Sequence, residues 1–297
     1  MLVEKKKLWE SSGEAYYVKY LLDNTPEIDE NRKHPAVIIC PGGGYMVTSD
    51  REAEPIALQF LSAGYNTIVL RYTTQDKGNA EYPTPLFDLA KMVLTVRQNA
   101  IDWNIDPDKI AICGFSAGGH LCASLAVHWQ DSFLLERVGT VPDMIQPNAV
   151  ILGYPLLDIV HTKQMLDQDE MANIVIPDFS MTKKEFLVEV NNIVTGEDDS
   201  VERIYGVYPI NFVNKDVPPV FIWHTAADTL IYVGNSLKFA LKLEEYKIPF
   251  EMHIFETGDH GLSLGTKVTG NHESFLNEDA AQWLKLALRF LSRHFEI

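Results

Sequence analysis

The chain has 297 residues, 46% of them hydrophobic and 22% charged, with 25 Lys and Arg against 41 Asp and Glu for a formal net charge of −16. That length allows one large domain with a sizeable core, and the composition excludes a disordered, collagen-like or coiled-coil chain. The negative balance repels phosphate backbones and no basic stripe offsets it, so nucleic acid is not an expected partner.

Residues 1–7 contain no apolar stretch long enough for a signal peptide, and no run reaches membrane-spanning length. Three cysteines, Cys40, Cys113 and Cys122, give neither a disulfide framework nor a zinc pattern, and Cys40 and Cys113 sit in apolar runs as small buried hydrophobes. A reduced, cytoplasmic protein without membrane contact is therefore expected.

Residues 5–9 and 15–20, around Ser12-Gly13, read as an antiparallel hairpin, with Lys5, Lys6 and Lys7 on a solvated face. The apolar run 36–40 ends at Pro41-Gly42-Gly43-Gly44 and reads as a buried central strand followed by a tight loop. Ser49 and Glu52 have capping-box spacing and predict a helix through Phe60 that ends near Gly64. A strand at 66–71 and a helix at 86–100 follow. Next come a strand at 110–114 and a helix at 117–129. Strands at 149–154, 220–225 and 250–255, with helices at 233–246 and 278–295, complete the pattern. Short β-branched runs alternating with helical patterns mark a parallel sheet with crossover helices, here of roughly eight strands. Residues 156–216 break the rhythm; they are acidic, without a clear strand, and read as a cap over the carboxyl edge of the sheet.

Gly114-Phe115-Ser116-Ala117-Gly118 lies between a strand and a helix, where a sharp turn exposes a serine oxygen. Side chains at Gly114 and Gly118 would collide with the neighbouring chain, and the new helix aims its first amides at developing negative charge. A phosphate-binding turn is the alternative, but the lysine and the Gly-x-Gly-x-x-Gly pattern it needs are absent. Backbone amides of Gly43, Gly44 and Ala117 are the expected oxyanion donors. His260, in Gly258-Asp259-His260-Gly261 after the last strand, is the expected base. His120, its rival, would sit below the serine along the helix, and His224 lies inside a strand. Asp228, just past the strand at 220–225, is the expected acid, with a helix N-cap as its alternative role and Asp259 too close to His260 to turn onto its ring. The order Ser116, Asp228, His260 is that of the α/β-hydrolase fold.

Together these segments resemble the acetyl esterase/lipase group of the α/β-hydrolase superfamily, near the hormone-sensitive-lipase family, and most closely its bacterial carbohydrate acetyl esterases and carboxylesterases. The resemblance runs from about residue 36 to the C-terminus and includes Tyr82-Pro83-Thr84-Pro85-Leu86 and Asp88. Two departures stand out: Pro41 replaces the histidine of His-Gly-Gly-Gly, and Phe115 replaces the acidic neighbour of the serine. The resemblance implies a single α/β-hydrolase domain over 1–297 with a cap insertion at 156–216. It also implies a serine esterase for short acyl groups, among them acetyl esters of sugars or xylan fragments, acting on small molecules without metal or organic cofactor. The same triad could cleave amides, as in a peptidase or formamidase, or the fold could serve as a binding module. Oligomeric state is not legible, and a homo-oligomer stays open.

Overall fold

The structure, a computed structural model, describes residues 1–10, 13–176 and 178–297. It opens with strands β1 (Leu2–Lys7), β2 (Tyr16–Leu21) and β3 (His34–Cys40), then helix α1 (Glu54–Ser62), β4 (Asn66–Arg71) and α2 (Thr84–Gln98). β5 (Ile105–Phe115), α3 (Ala117–His128), α4 (Ser132–Val138), α5 (Pro142–Ile145) and β6 (Ala149–Gly153) follow. Then come α6 (Ile159–Leu166), the short pair β7 (Val175–Ile176) and β8 (Met181–Thr182), α7 (Lys183–Thr195) and α8 (Val201–Val207). β9 (Val220–Thr225), α9 (Gly234–Glu245), β10 (Phe250–Phe255) and α10 (Trp283–Phe295) end the chain.

Eight strands form one sheet in the order β1-β2-β4-β3-β5-β6-β9-β10. The β1–β2 and β2–β4 pairs are antiparallel and all other pairs parallel, as the sequence pattern predicts. The parallel strands at the centre are buried on both faces, which is why β3, β6 and β9 read as unbroken apolar runs. Alternate residues face opposite layers. Ile38, Ile112 and Leu152 pack toward α2, α3 and α9, whereas Ile39, Cys113 and Phe221 pack toward α1 and α10. All three cysteines are free and buried. Among the described residues, no helix is long and apolar enough to cross a membrane.

Four local readings need correction. The first hairpin pairs Leu2–Lys7 with Tyr16–Leu21, shifted toward the N-terminus, because Trp9 turns away to donate its Nε1–H to Asp88 at 2.7 Å. Ser12, placed in that turn, lies outside the described residues. The terminal helix opens at Trp283, behind a 3₁₀ turn at Ala280–Gln282. The segment 156–216 does contain strands, but β7 and β8 are two residues each, too short for any alternation to show.

The fourth correction matters most for the site. Ser49 and Glu52 form no capping box: α1 starts at Glu54, and its N-cap Ala53 offers no side-chain bond. Glu52 is turned inward and only 5% exposed. A buried carboxylate must find strong donors, and this one takes the Gly42 amide at 2.7 Å and the Tyr154 hydroxyl at 2.6 Å.

Trp283 joins the last helix to the sheet. Its indole stacks on Trp223 of β9 at 5.2 Å and 7°, and its Nε1–H donates to the Ser263 carbonyl at 2.8 Å. Both tryptophans are fully buried. Trp283→Ala should therefore cost about 3–5 kcal/mol of unfolding free energy in urea titrations. A loss below about 1 kcal/mol would show that α10 is not held to the sheet in this way.

Candidate active site

The carboxyl ends of β3, β5 and β6 are level, with Cys40 opposite Gly114 and Phe115 opposite Gly153. The chain turns at Ser116, between β5 and α3. Ser116 has φ 51° and ψ −115°, a strained conformation for a residue with a side chain. Its amide donates to the Gly153 carbonyl at 3.0 Å, and its carbonyl accepts the amides of His120 and Leu156. The turn is possible only without side chains on either flank. A Cβ on Gly114 would lie 2.1 Å from the Gly118 carbonyl oxygen, and one on Gly118 would lie 2.0 Å from that of Cys40.

The structure brings Ser116, His260 and Asp228 into one chain of hydrogen bonds. His260 Nε2 is 2.9 Å from Ser116 Oγ, and His260 Nδ1 is 2.7 Å from Asp228 Oδ2. A carboxylate can only accept, so Nδ1 carries the proton and Nε2 is left to accept the serine hydroxyl. Asp228 follows β9 and is no helix N-cap, since α9 begins only at Gly234. Its Oδ1 accepts the amides of Leu230 and Ile231, both at 2.9 Å. Asp259, the sequence neighbour, accepts the backbone amide of His260.

Asp228 is fully buried at its side chain, and His260 is 13% exposed. Burial alone would raise the Asp228 pKa, but the His260 charge and the hydrogen bonds from His224 and His260 outweigh it and hold the carboxyl well below its ordinary range. Burial alone would likewise lower the His260 pKa. The Asp228 charge and hydrogen bond, with smaller help from Glu52 and Asp259, raise it above the ordinary histidine value.

The glycine loop passes beside the serine: a Cβ on Gly42 would lie 3.0 Å from Ser116 Cβ. The Gly42 amide is engaged by Glu52. Among the described residues, the amides of Gly43, Gly44 and Ala117 donate no hydrogen bond within the chain. Gly44, at φ 64°, approaches α7 so closely that a Cβ there would sit 2.8 Å from Phe186 Cζ and 3.0 Å from Val190 Cγ2.

The two rival histidines lie elsewhere, each with both ring nitrogens engaged. His120 Nδ1 meets the Tyr45 hydroxyl at 2.6 Å and Nε2 the Val207 carbonyl at 2.8 Å. Burial lowers its pKa to about 4, so it stays neutral. His224 approaches Asp228 Oδ2 at 3.1 Å and the Ile231 carbonyl at 2.7 Å through Nε2, and Ser236 Oγ at 2.8 Å through Nδ1. Its place inside a strand suggests a ring that packs or makes a structural hydrogen bond; it does make such bonds, and the sequence did not identify Asp228 as one of the partners. A polar ring four residues before Asp228, inside an apolar strand, was the available signal. Glu52 and Tyr154 were missed as well, the first because its spacing suggested a helix cap. Among the described residues, no three His, Cys, Asp or Glu side chains converge as a metal site requires.

Comparison with known proteins agrees with this architecture. The family model BD-FAE matches residues 23–243. Endo-1,4-beta-xylanase B of Butyrivibrio fibrisolvens is 32% identical over 238 residues, 80% of this chain and 34% of that protein. The acetylxylan esterase of Xylanibacter ruminicola is 26% identical over 262 residues, 87% of this chain and 47% of that protein. The chain thus spans about a third to a half of the length of these curated relatives. Among solved structures, MGS-M1, an alpha/beta hydrolase enzyme from a Medee basin deep-sea metagenome library, superposes with a TM-score of 0.74 at 31% identity. The match covers 100% of this chain and 99% of that one. A level-ended parallel sheet, a strained serine between β5 and α3, and a family match running through both place the chain in the BD-FAE family, on the α/β-hydrolase fold.

Proposed function

We propose that the chain is a serine carboxylesterase acting on short acyl esters through an acyl-enzyme. Ser116 Oγ attacks the ester carbonyl while His260 Nε2 takes its proton, and Asp228 holds the ring and balances the imidazolium. The amides of Gly43, Gly44 and Ala117 receive the oxyanion. His260 then passes its proton to the leaving alcohol, and a water activated by the same ring releases the acid. The observation that carries this reading is the unbroken run of hydrogen bonds from Ser116 through His260 to Asp228. Three loop and helix-end amides without partners among the described residues support the oxyanion assignment.

Acetyl groups, carried on sugars or xylan fragments, are the substrate class favoured. The relatives named as a xylanase and as an acetylxylan esterase support it. So does Phe186 against Gly44, which leaves little room on that side of the glycine loop for a long acyl chain. We read 1–297 as a single domain in which 156–216 forms a cap, with α7 roofing the glycine loop. The partner is a small-molecule ester.

Ser116→Ala should lower kcat on p-nitrophenyl acetate by roughly 10⁴–10⁶-fold while the protein melts as wild type does. Near-full activity in that variant would remove the nucleophile assignment. Among p-nitrophenyl esters, kcat/KM should fall beyond butyrate, and acetylated xylo-oligosaccharides should release acetate; a preference for octanoate would overturn the acyl-length reading. The base must be unprotonated to act, and the Asp228 charge raises the pKa of His260. The acid limb of kcat/KM should therefore lie above the ordinary histidine value of about 6.5, with activity lost as pH falls through it. A profile flat from about pH 5 to 8 would exclude a histidine base.

A further inference from the structure

We propose that Glu52 is a positioning residue for the reaction, one buried carboxylate that sets the glycine loop with one oxygen and the histidine ring with the other. The inference rests on the reading of Ser116 as nucleophile and His260 as base. Glu52 Oε2 accepts the Gly42 amide at 2.7 Å. That bond fixes the residue from which Gly43 and Gly44 extend, and a Cβ on Gly42 would lie 3.0 Å from Ser116 Cβ. Glu52 Oε1 accepts the Tyr154 hydroxyl at 2.6 Å, and the same hydroxyl accepts the Ser263 amide at 3.0 Å. Tyr154 is held at φ 36°, with its ring edge-on to His260 at 5.0 Å and 72°. Glu52 thus reaches the base by way of the aromatic ring packed against it.

The preceding residue reinforces the same junction. Arg51 donates to the Gly261 and Thr269 carbonyls at 3.0 and 2.6 Å, stands 3.7 Å over the Phe275 ring, and its carbonyl accepts the Ser263 hydroxyl at 2.7 Å. Two adjacent residues therefore tie the loop that follows β3 to the loop that follows β10. A carboxylate buried to 5% exposure is a costly device for filling space, because unpaired it would be strongly destabilising. A neutral side chain could supply only one of the two acceptors in this geometry.

The charge has a second effect. Five ionisable groups face His260: Asp228 from the turn after β9, Glu52 from the segment before α1, Tyr154 edge-on from the end of β6, Asp259 on its own loop, and Arg51 through the Gly261 carbonyl. His224 reaches it only through Asp228. Of the carboxylates, Asp228 acts by direct contact and Glu52 adds to it, so removing the Glu52 charge lowers the pKa of the base.

The test uses a fluorophosphonate, whose phosphorus bonds to Ser116 Oγ as fluoride leaves and His260 takes the serine proton. It reports on the nucleophile whether or not a given ester is turned over, so failure of the ester reading shows separately, as labelling without ester hydrolysis. For Glu52→Gln, the phosphonylation rate on its alkaline plateau should fall by about ten- to a hundredfold, because the loop and ring are less well aimed. The lower-pH midpoint of that rate should move to lower pH. Tyr154→Phe keeps the charge and loses one arm, so its plateau should fall by about three- to tenfold without a downward move of the midpoint. Labelling within about twofold of wild type in a folded Glu52→Gln protein, or a slower rate with an unmoved midpoint, overturns the proposal. Should Glu52→Gln not fold, Tyr154→Phe labelling at the wild-type rate overturns it instead.

Discussion

The close approach of backbone to backbone at the start of α3 is the constraint on which the rest of the site depends. A Cβ on Gly118 would lie 2.0 Å from the Cys40 carbonyl oxygen and 2.6 Å from that of Pro41. The helix carrying Ser116 is therefore seated directly against the end of β3, from which the glycine loop departs. Nothing larger than hydrogen fits between them. The strained serine and the start of the glycine loop are positioned by the same contact, so neither can shift without the other. Strain at Ser116 persists because its amide, its carbonyl and both flanking glycines are held by neighbouring backbone.

Charge is arranged around this contact in a way the net composition does not reveal. The chain is acidic overall, yet two of the carboxylates that bear on His260, Asp228 and Glu52, are buried and furnished with donors. Asp228 accepts four hydrogen bonds, two from backbone amides and two from imidazoles. Glu52 accepts two. At Asp228 these donors outweigh burial and favour the anion, and they are fixed in the fold before the ring beside it becomes charged. The same interior treats its other histidine next to the serine differently: His120 sees a hydroxyl and a carbonyl but no carboxylate, and burial keeps it neutral.

The parts of this arrangement that could be read from sequence are those whose chemistry is local. Apolar runs flanked by helical periodicity are enough for a mostly parallel sheet, since a strand buried on both faces has no polar alternation to hide. The placement of Ser116, Asp228 and His260 at strand ends follows from the same alternation, because each lies in the loop that follows a strand-like run. What escaped was decided by tertiary contact. Glu52 has the spacing of a helix cap, and only the proximity of Gly42 and Tyr154, ten and 102 residues away, draws it inward. Trp9 left its strand for a carboxylate 79 residues on. β7 and β8 are too short to carry a period at all.

Contacts from α7 and α8 show how the missing histidine of the glycine loop can be tolerated. Pro41 offers no side-chain donor or acceptor at that position, and the loop is anchored from other directions. Tyr45 extends it to His120 on α3, and His120 passes on to the Val207 carbonyl at the end of α8. Phe186 and Val190 of α7 close on Gly44, while Lys183 at the start of α7 donates to Thr229, next to Asp228. The stretch from α7 to α8 therefore bears on the glycine loop, the helix behind Ser116 and the turn of Asp228 together. Swinging it away would strand the buried Nε2–H of His120 without an acceptor, at a cost of about 1–3 kcal/mol, and would uncover the apolar face of Phe186 as well. Held through Tyr45 and by contact with Phe186 and Val190, the loop is anchored without a side-chain hydrogen bond at position 41.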